Sequence, residues 1–257
     1  MPDVRGTALT RSDTCGCAVC AAPGSPFEVL GHRQSHRLDR RSFVTIGIGA
    51  GVAGMCGLFP ARARSQTTLA PDAALEQLMA GNRRFVDGTM TSYKEDLAQR
   101  RARTVEKQEP IAAVLSCADS RVPVEIAFDQ TIGQLFVTRV AGNVATPEII
   151  ASLEYGAAVL GTRVIMVLAH QGCGAVKAAV DGHTVPGQIS ALYAPLNSAV
   201  EQGKHDYEAT AKLNARIQAS LLARASPLLA DLVSKGSLKI VPAYYSLGTG
   251  AVTLLQS

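Results

Sequence analysis

Two short apolar runs, residues 111–115 and 164–168, constrain this chain more than any other feature. Each is rich in β-branched residues, and each breaks off into a chemically dense segment: Cys117-Ala118-Asp119-Ser120-Arg121 after the first and His170-Gln171-Gly172-Cys173 after the second. Runs of this length and composition read as strands, so Cys117 and His170 are expected just past two strand ends. In an open parallel sheet, ligands collect at the carboxyl ends of the strands. Two thiols and one imidazole meeting there form a Cys2His set. Three protein ligands on Zn²⁺ leave the fourth position to water, the pattern of a catalytic zinc site. A buried cysteine is often only a small apolar filler. Asp119 and Arg121 argue against that reading, because a carboxylate and a guanidinium beside the first thiol require a polar site.

The rest of the chain supplies the elements such a sheet needs. Asp72 is expected to cap a helix carrying Leu75, Leu78, Met79 and Val86 on one side, and residues 93–109 to form a second, polar helix. Strands are expected at 111–116, 135–140 and 163–169. Thr146-Pro147-Glu148 combines a capping residue, a proline at the first helical position and an acid at the positive helix end. It should open a helix ending at Gly161. A short helix follows Gly174, a long one spans about 207–225, and another restarts at Ser226-Pro227. Residues 238–245 and 251–255, joined through Gly248-Thr249-Gly250, read as a hairpin. The expected fold is α/β: a mostly parallel central sheet flanked by helices, with an antiparallel C-terminal edge and an N-terminal helical arm.

The first 63 residues are of a different kind. Arg40-Arg41-Ser42-Phe43-Val44 opens an apolar, Gly-rich stretch to Phe59, followed by Pro60-Ala61-Arg62-Ala63. Twin arginines, a moderately apolar run and an A-x-A site are the layout of a twin-arginine export signal. Residues 1–63 are therefore expected to be removed, leaving 64–257 as the mature domain in the periplasm or outside the cell, with the export machinery as a partner. Four of the six cysteines (15, 17, 20 and 56) lie in the removed part, so Cys117 and Cys173 alone would remain. In an oxidising compartment two free thiols risk a disulfide, and zinc bound before export would protect both. The charge excess leaves with the signal too: the remainder holds 18 basic and 17 acidic residues, which gives no nucleic-acid surface.

Taken together, Cys117-Ala-Asp-Ser-Arg121, Arg139-Val-Ala-Gly-Asn143, Glu154-Tyr155-Gly156, His170-Gln-Gly-Cys173-Gly174 and Ala243-Tyr244-Tyr245 resemble the motifs of β-class carbonic anhydrases over most of the chain from about residue 75 to 255. The resemblance implies an enzyme that interconverts CO2 and bicarbonate, with one Zn²⁺ per chain. It also implies a homodimer or higher even oligomer, with N-terminal helices reaching over the partner and active sites near the interface. Cys117, His170 and Cys173 match the family's zinc ligands, and Asp119 and Arg121 its catalytic carboxylate–guanidinium dyad. Gln108, in Gln-x-Pro nine residues before Cys117, resembles the substrate-orienting amide of plant-type members. Phe136 and Tyr155 match the apolar wall of the substrate pocket, and the Gly174 amide a donor near the substrate. Some bacterial relatives hold an inhibitory bicarbonate with a Trp–Arg–Tyr set. Here Arg139 fits the arginine but Val114 stands in the tryptophan's place, and the chain has no Trp. That control site is expected to be absent and Arg139 to be structural.

Other functions compete with this one. Hydrolysis of a CO2 analogue, carbonyl sulfide or carbon disulfide, would use the same zinc site. A non-catalytic zinc- or bicarbonate-binding protein would have no need of Asp119 and Arg121, and both are present. A dinucleotide-binding fold is opposed by the lack of G-x-G-x-x-G after the first strand.

Overall fold

A computed structural model describes residues 67–256; the expected export signal and its cysteines lie outside the described residues. Five strands form one sheet: β1 (Ala112–Ser116), β2 (Leu135–Arg139), β3 (Val164–His170), β4 (Lys239–Tyr245) and β5 (Val252–Leu254). Their order is β2-β1-β3-β4-β5, parallel throughout except for the antiparallel β4–β5 pair. The expected fold class is the observed one.

Strands β1 and β3 lie inside the sheet and are buried along their whole length. Alternate side chains serve opposite faces, as the period of two requires. Ala113, Leu115, Ile165 and Val167 join one core with Leu153, Val176, Ala215, Leu222 and Leu229. These come from α4 (Pro147–Glu154), α5 (Gly174–Asp181), α7 (Tyr207–Ala225) and α8 (Pro227–Ser234). Ala112, Val114, Val164, Met166 and Leu168 join the other core, with Ala74 and Leu78 of α1 (Pro71–Val86) and Val124 of α3 (Val124–Ala127). A further short helix, α6 (Asn197–Gln202), precedes α7.

The chain leaves β1 toward β2 on one side, then crosses back to β3 on the other. The order therefore reverses between β1 and β3, and in parallel sheets that reversal opens a crevice at the carboxyl ends. Ser116 stands opposite Leu168. Cys117 and His170 thus emerge side by side at that crevice.

Several helix boundaries differ from expectation. The first helix is capped at Ala70 with Pro71 in its first turn; Asp72 lies inside it and pairs with Lys239 instead of capping. Val86 faces solvent, while Gly81 and Asn82 are buried. A Cβ on Gly81 would sit 1.9 Å from the Phe128 carbonyl oxygen, so α1 reaches its packing distance only with glycine there. Asn82 donates to the carbonyls of Ala127 and Gly250 and accepts from the Val252 amide, which ties α1 to the C-terminal hairpin. As an arm, then, α1 closes on its own sheet.

The single helix expected over 93–109 is instead a 3₁₀ turn, Ser92–Lys94, and a short α2, Leu97–Thr104. Asp96 ends the continuity by capping α2 through the Ala98 and Gln99 amides. No residue of α2 is buried, and Leu97 and Val105 are exposed. The helix opened by Pro147 ends as α4 at Glu154 and widens into a π turn, Tyr155–Val159.

Asp129 holds the chain before α2 in place. It accepts from the Thr91 and Ser92 amides and pairs with Arg84 at 2.6 Å. Burial opposes its ionisation, but the Ser92 amide, the Arg84 guanidinium and the Thr91 amide outweigh this and hold the carboxyl well below the usual carboxylate range. A carboxyl depressed in the folded state stabilises the fold fully above its unfolded value of about 4. That contribution is lost as pH falls toward the folded value. Asp129→Asn should lower the melting temperature at pH 7 and flatten its decline below about pH 4. Thermal unfolding curves that stay parallel to wild type across that range would contradict the assignment.

Candidate metal centre

Cys117 follows the last residue of β1, and His170 is itself the last residue of β3, opposite Tyr245. The expectation that His170 lies beyond the strand is thus off by one residue, because the β3–β4 ladder continues through it. Gln171 extends the tether: its amide donates to the Tyr245 carbonyl, and its Oε1 accepts from the amides of Leu247 and Gly248. The chain then turns at Gly172 and places Cys173 at the N-cap of α5. All three side chains are buried, and their ligand atoms lie within 4.8 Å of one another. Among the described residues this is the one such group of three.

The cluster's polar balance is incomplete without a cation. The two sulfurs are 3.9 Å apart. The neighbouring Cys173 side chain above all, with the Gly142 and Asp119 amides, outweighs burial and holds the Cys117 thiol well below the usual thiol range. Cys173 is pushed far up by the same contact, by burial and by the neighbouring negative charge. The pair by itself therefore keeps one proton, and a divalent cation between the sulfurs would release it. His170 Nδ1 lies 2.9 Å from the Gln171 carbonyl oxygen, which assigns the ring proton to Nδ1. Nε2, fully buried, then carries a lone pair and has no hydrogen-bond partner. A buried acceptor left unpaired is costly, and one that faces two sulfurs is a ligand position. Two thiolates and an imidazole suit Zn²⁺, so these residues fit the ion.

Asp119 stands at the rim, its Oδ2 4.0 Å from His170 Nε2. Arg121 grips it with two prongs, Nε to Oδ1 at 3.0 Å and Nη2 to Oδ2 at 2.7 Å, and also donates to the Gly172 carbonyl. The Arg121 side chain, then its amide, hold the Asp119 carboxyl well below the usual range against a modest desolvation penalty. Arg139 donates from Nε to the Cys117 carbonyl at 2.9 Å and from Nη2 to the Asp119 carbonyl. Two arginines thus brace the loop that follows β1. The Gly142 amide, 3.3 Å from Cys117 Sγ, is a contact that sequence reasoning missed. Its one sign there is a glycine shortly after a strand end.

The residues expected to line the substrate pocket are placed differently. Gly174 begins α5 beside Cys173, and its amide is one of the first-turn donors without a partner inside the helix. Phe136 and Tyr155 pack together with ring centroids 6.3 Å apart. Phe136, however, pairs with Ala113, three residues and about 10 Å before the end of β2. Tyr155 is 47% exposed. Gln108 is exposed between α2 and β1, and no hydrogen bond ties it to the cluster. Within one chain the structure assembles Cys117, Asp119, Arg121, His170, Cys173 and Gly174, and leaves Gln108, Phe136 and Tyr155 on the β2 side.

Comparison with known proteins agrees with this geometry. The carbonic anhydrase family profile matches residues 112–252, from the start of β1 to the start of β5. The chain belongs to the carbonic anhydrase family. It is 34% identical over 192 residues to carbonic anhydrase 2 of Mycobacterium tuberculosis, covering 72% of this chain and 92% of that protein. It is 35% identical to a carbonic anhydrase of Mycolicibacterium smegmatis, over 72% and 93% of the two chains. Among solved structures, a Coccomyxa β-carbonic anhydrase superposes with a TM-score of 0.57 at 26% identity, covering 70% of this chain and 86% of that one. A tetrameric β-carbonic anhydrase of Sordaria macrospora, 19% identical with a TM-score of 0.56 over 62% and 91%, shares the fold. Cys117, His170 and Cys173 all fall inside the segment matched by the family profile.

Proposed function

We propose that this carbonic anhydrase hydrates CO2 reversibly to bicarbonate and a proton, with one Zn²⁺ held by Cys117, His170 and Cys173. The observation that carries the assignment is the buried, unpaired Nε2 of His170 facing two sulfurs, with the Asp119–Arg121 pair at its rim. Zn²⁺ in such a site acidifies a water molecule, so that hydroxide is available near neutral pH. Asp119 accepts a hydrogen bond from the attacking oxygen and turns its lone pair toward CO2. Arg121 holds Asp119 at the rim through two hydrogen bonds, which would keep the carboxylate off a Zn²⁺ bound by the three ligands. The Gly174 amide receives an oxygen of the nascent bicarbonate.

Two thiolates cancel the charge of Zn²⁺, which makes the centre less acidifying than a tris-histidine site. Activity should therefore climb on the alkaline side of pH 7. Stopped-flow CO2 hydration on zinc-quantified protein tests this. Full zinc with no turnover even near pH 9 would overturn the assignment and direct attention to carbonyl sulfide or carbon disulfide. A rate profile flat from about pH 6 to 9 would count against the charge argument.

Gln108, Phe136 and Tyr155 complete the pocket of a second copy in a homodimer or higher even oligomer. Support comes from the β2 register, from exposed Tyr155, Leu97 and Ile132 on that side, and from the tetrameric Sordaria neighbour. Mixing Cys173→Ser chains with Phe136→Ala chains should restore activity beyond either alone, because one of the two sites in each mixed dimer regains both halves. No gain on mixing would assign each site to a single chain. Export by the twin-arginine route to the periplasm or beyond is supported by Arg40-Arg41, the apolar run after them and the A-x-A at 61–63. An Arg40→Lys, Arg41→Lys chain should stay in the cytoplasm on fractionation; unchanged export would refute it.

A further inference from the structure

Helix α7 carries two amides on its buried face, one turn beyond buried Thr210. Asn214 and Gln218 are 0% and 1% exposed, among buried Ala211, Ala215, Ala219 and Leu222. Four residues apart, they lie on one side of the helix. Burying an amide costs stability unless its polar atoms are paired, and here they are. Asn214 Nδ2 donates to the Gly142 carbonyl at 2.8 Å, and Asn214 Oδ1 accepts from Gln218 Nε2 at 3.0 Å. Gln218 Nε2 also reaches the Pro195 carbonyl, and Gln218 Oε1 accepts from the Ala145 amide at 2.9 Å.

The pair therefore grips segment 142–145 at both ends. That segment follows β2 and passes against Cys117. Gly142 sits in the left-handed region, φ 76° and ψ 10°, with Ala175 and Leu196 packed where a Cβ would be. This conformation directs its amide to Cys117 Sγ at 3.3 Å. Holding the Gly142 carbonyl fixes the peptide plane after its Cα and so restrains ψ, and the hydrogen-bonded turn from Val140 to Asn143 passes that restraint to the plane that carries the Gly142 N–H.

We propose that Asn214, supported by Gln218, is a positioning residue for the metal centre: it fixes Gly142 so that the Gly142 amide donates to the Cys117 sulfur. The inference rests on the zinc reading above. An N–H directed at a ligand sulfur orients its lone pairs and withdraws charge from it, and such outer partners are worth about 10–100-fold in metal affinity. No side chain near the sulfur reports this role; it acts from the opposite side of the loop.

The test uses full-length protein, with Zn²⁺ affinity from chelator competition, the sulfur-to-metal charge-transfer band after Co²⁺ loading, and exchange of the Gly142 amide proton by NMR. In Asn214→Leu, zinc affinity should fall about 10–100-fold. The cobalt band should move to longer wavelength as the sulfur regains charge, and Gly142 exchange should quicken. Gln218→Met, which keeps volume, should shift all three in the same direction by less, and it decides the matter if Asn214→Leu does not fold. Asp129→Asn, destabilised elsewhere, should leave affinity and band at wild-type values. A folded Asn214→Leu or Gln218→Met with wild-type affinity, band and exchange overturns the role, as does the same change in Asp129→Asn. A wild type that takes up neither metal overturns the zinc reading itself, and this inference with it.

Discussion

Replacing Asp119 with alanine is expected to lower kcat for CO2 hydration about 100- to 1000-fold, the usual worth of one preorganised polar group at a reacting atom. Zinc content should not change. Asp119 lies 4.0 Å from His170 Nε2 but belongs to the rim, held by Arg121 and not by the cluster. Its removal takes away the acceptor that orients the attacking oxygen and spares the three ligand positions. KM should move little, because the interaction is made chiefly as the new bond forms. Stopped-flow rates beside zinc analysis decide it. A variant that keeps its zinc and turns over within a few-fold of wild type would remove Asp119 from the mechanism. Loss of zinc together with rate would make Asp119 a support of the site instead.

Cys173→Ser is expected to have the larger effect on the metal itself. Even outer partners of a ligand are worth about 10–100-fold in affinity, and this change removes a ligand outright. Zinc retained after dialysis against a mild chelator should fall to a small fraction of wild type, and CO2 hydration with it. The fold should survive, because Cys173 caps a helix without a formal side-chain cap bond and packs beside Val176, which stays in place. Circular dichroism near that of wild type, with zinc lost, is the expected pair of results. Wild-type zinc content in the variant would place the metal elsewhere or reduce the site to Cys117 and His170.

The ligand set was readable because each member lies next to a strong local pattern. A buried strand ends where apolar residues give way to polar ones, so Cys117 and His170 could be placed to within a residue. The limits of α2 were not readable in the same way. Residues 92–109 are mostly polar, and the chain breaks there because Asp129, some 37 residues away in sequence, captures the Thr91 and Ser92 amides while Asp96 starts a new helix. Asn214 and Gln218 gave no sign of their role, since two amides on a long helix read as solvated until the helix is packed. That Phe136 and Tyr155 pack on each other away from their own chain's metal cluster was not legible. That follows from the register of β2 on β1.

The sequence by itself determined the individual strands, the places of Cys117, His170 and Cys173 at their carboxyl ends and the pairing of Asp119 with Arg121, because each depends on residues close together along the chain. Tertiary structure decided the rest: which strands flank the crevice, which amide faces the Cys117 sulfur, and that Phe136 lies well before the end of β2, away from the cluster. Those are contacts between residues 20 to 170 positions apart. They are set by how helices pack on two faces of one sheet, which no local pattern encodes.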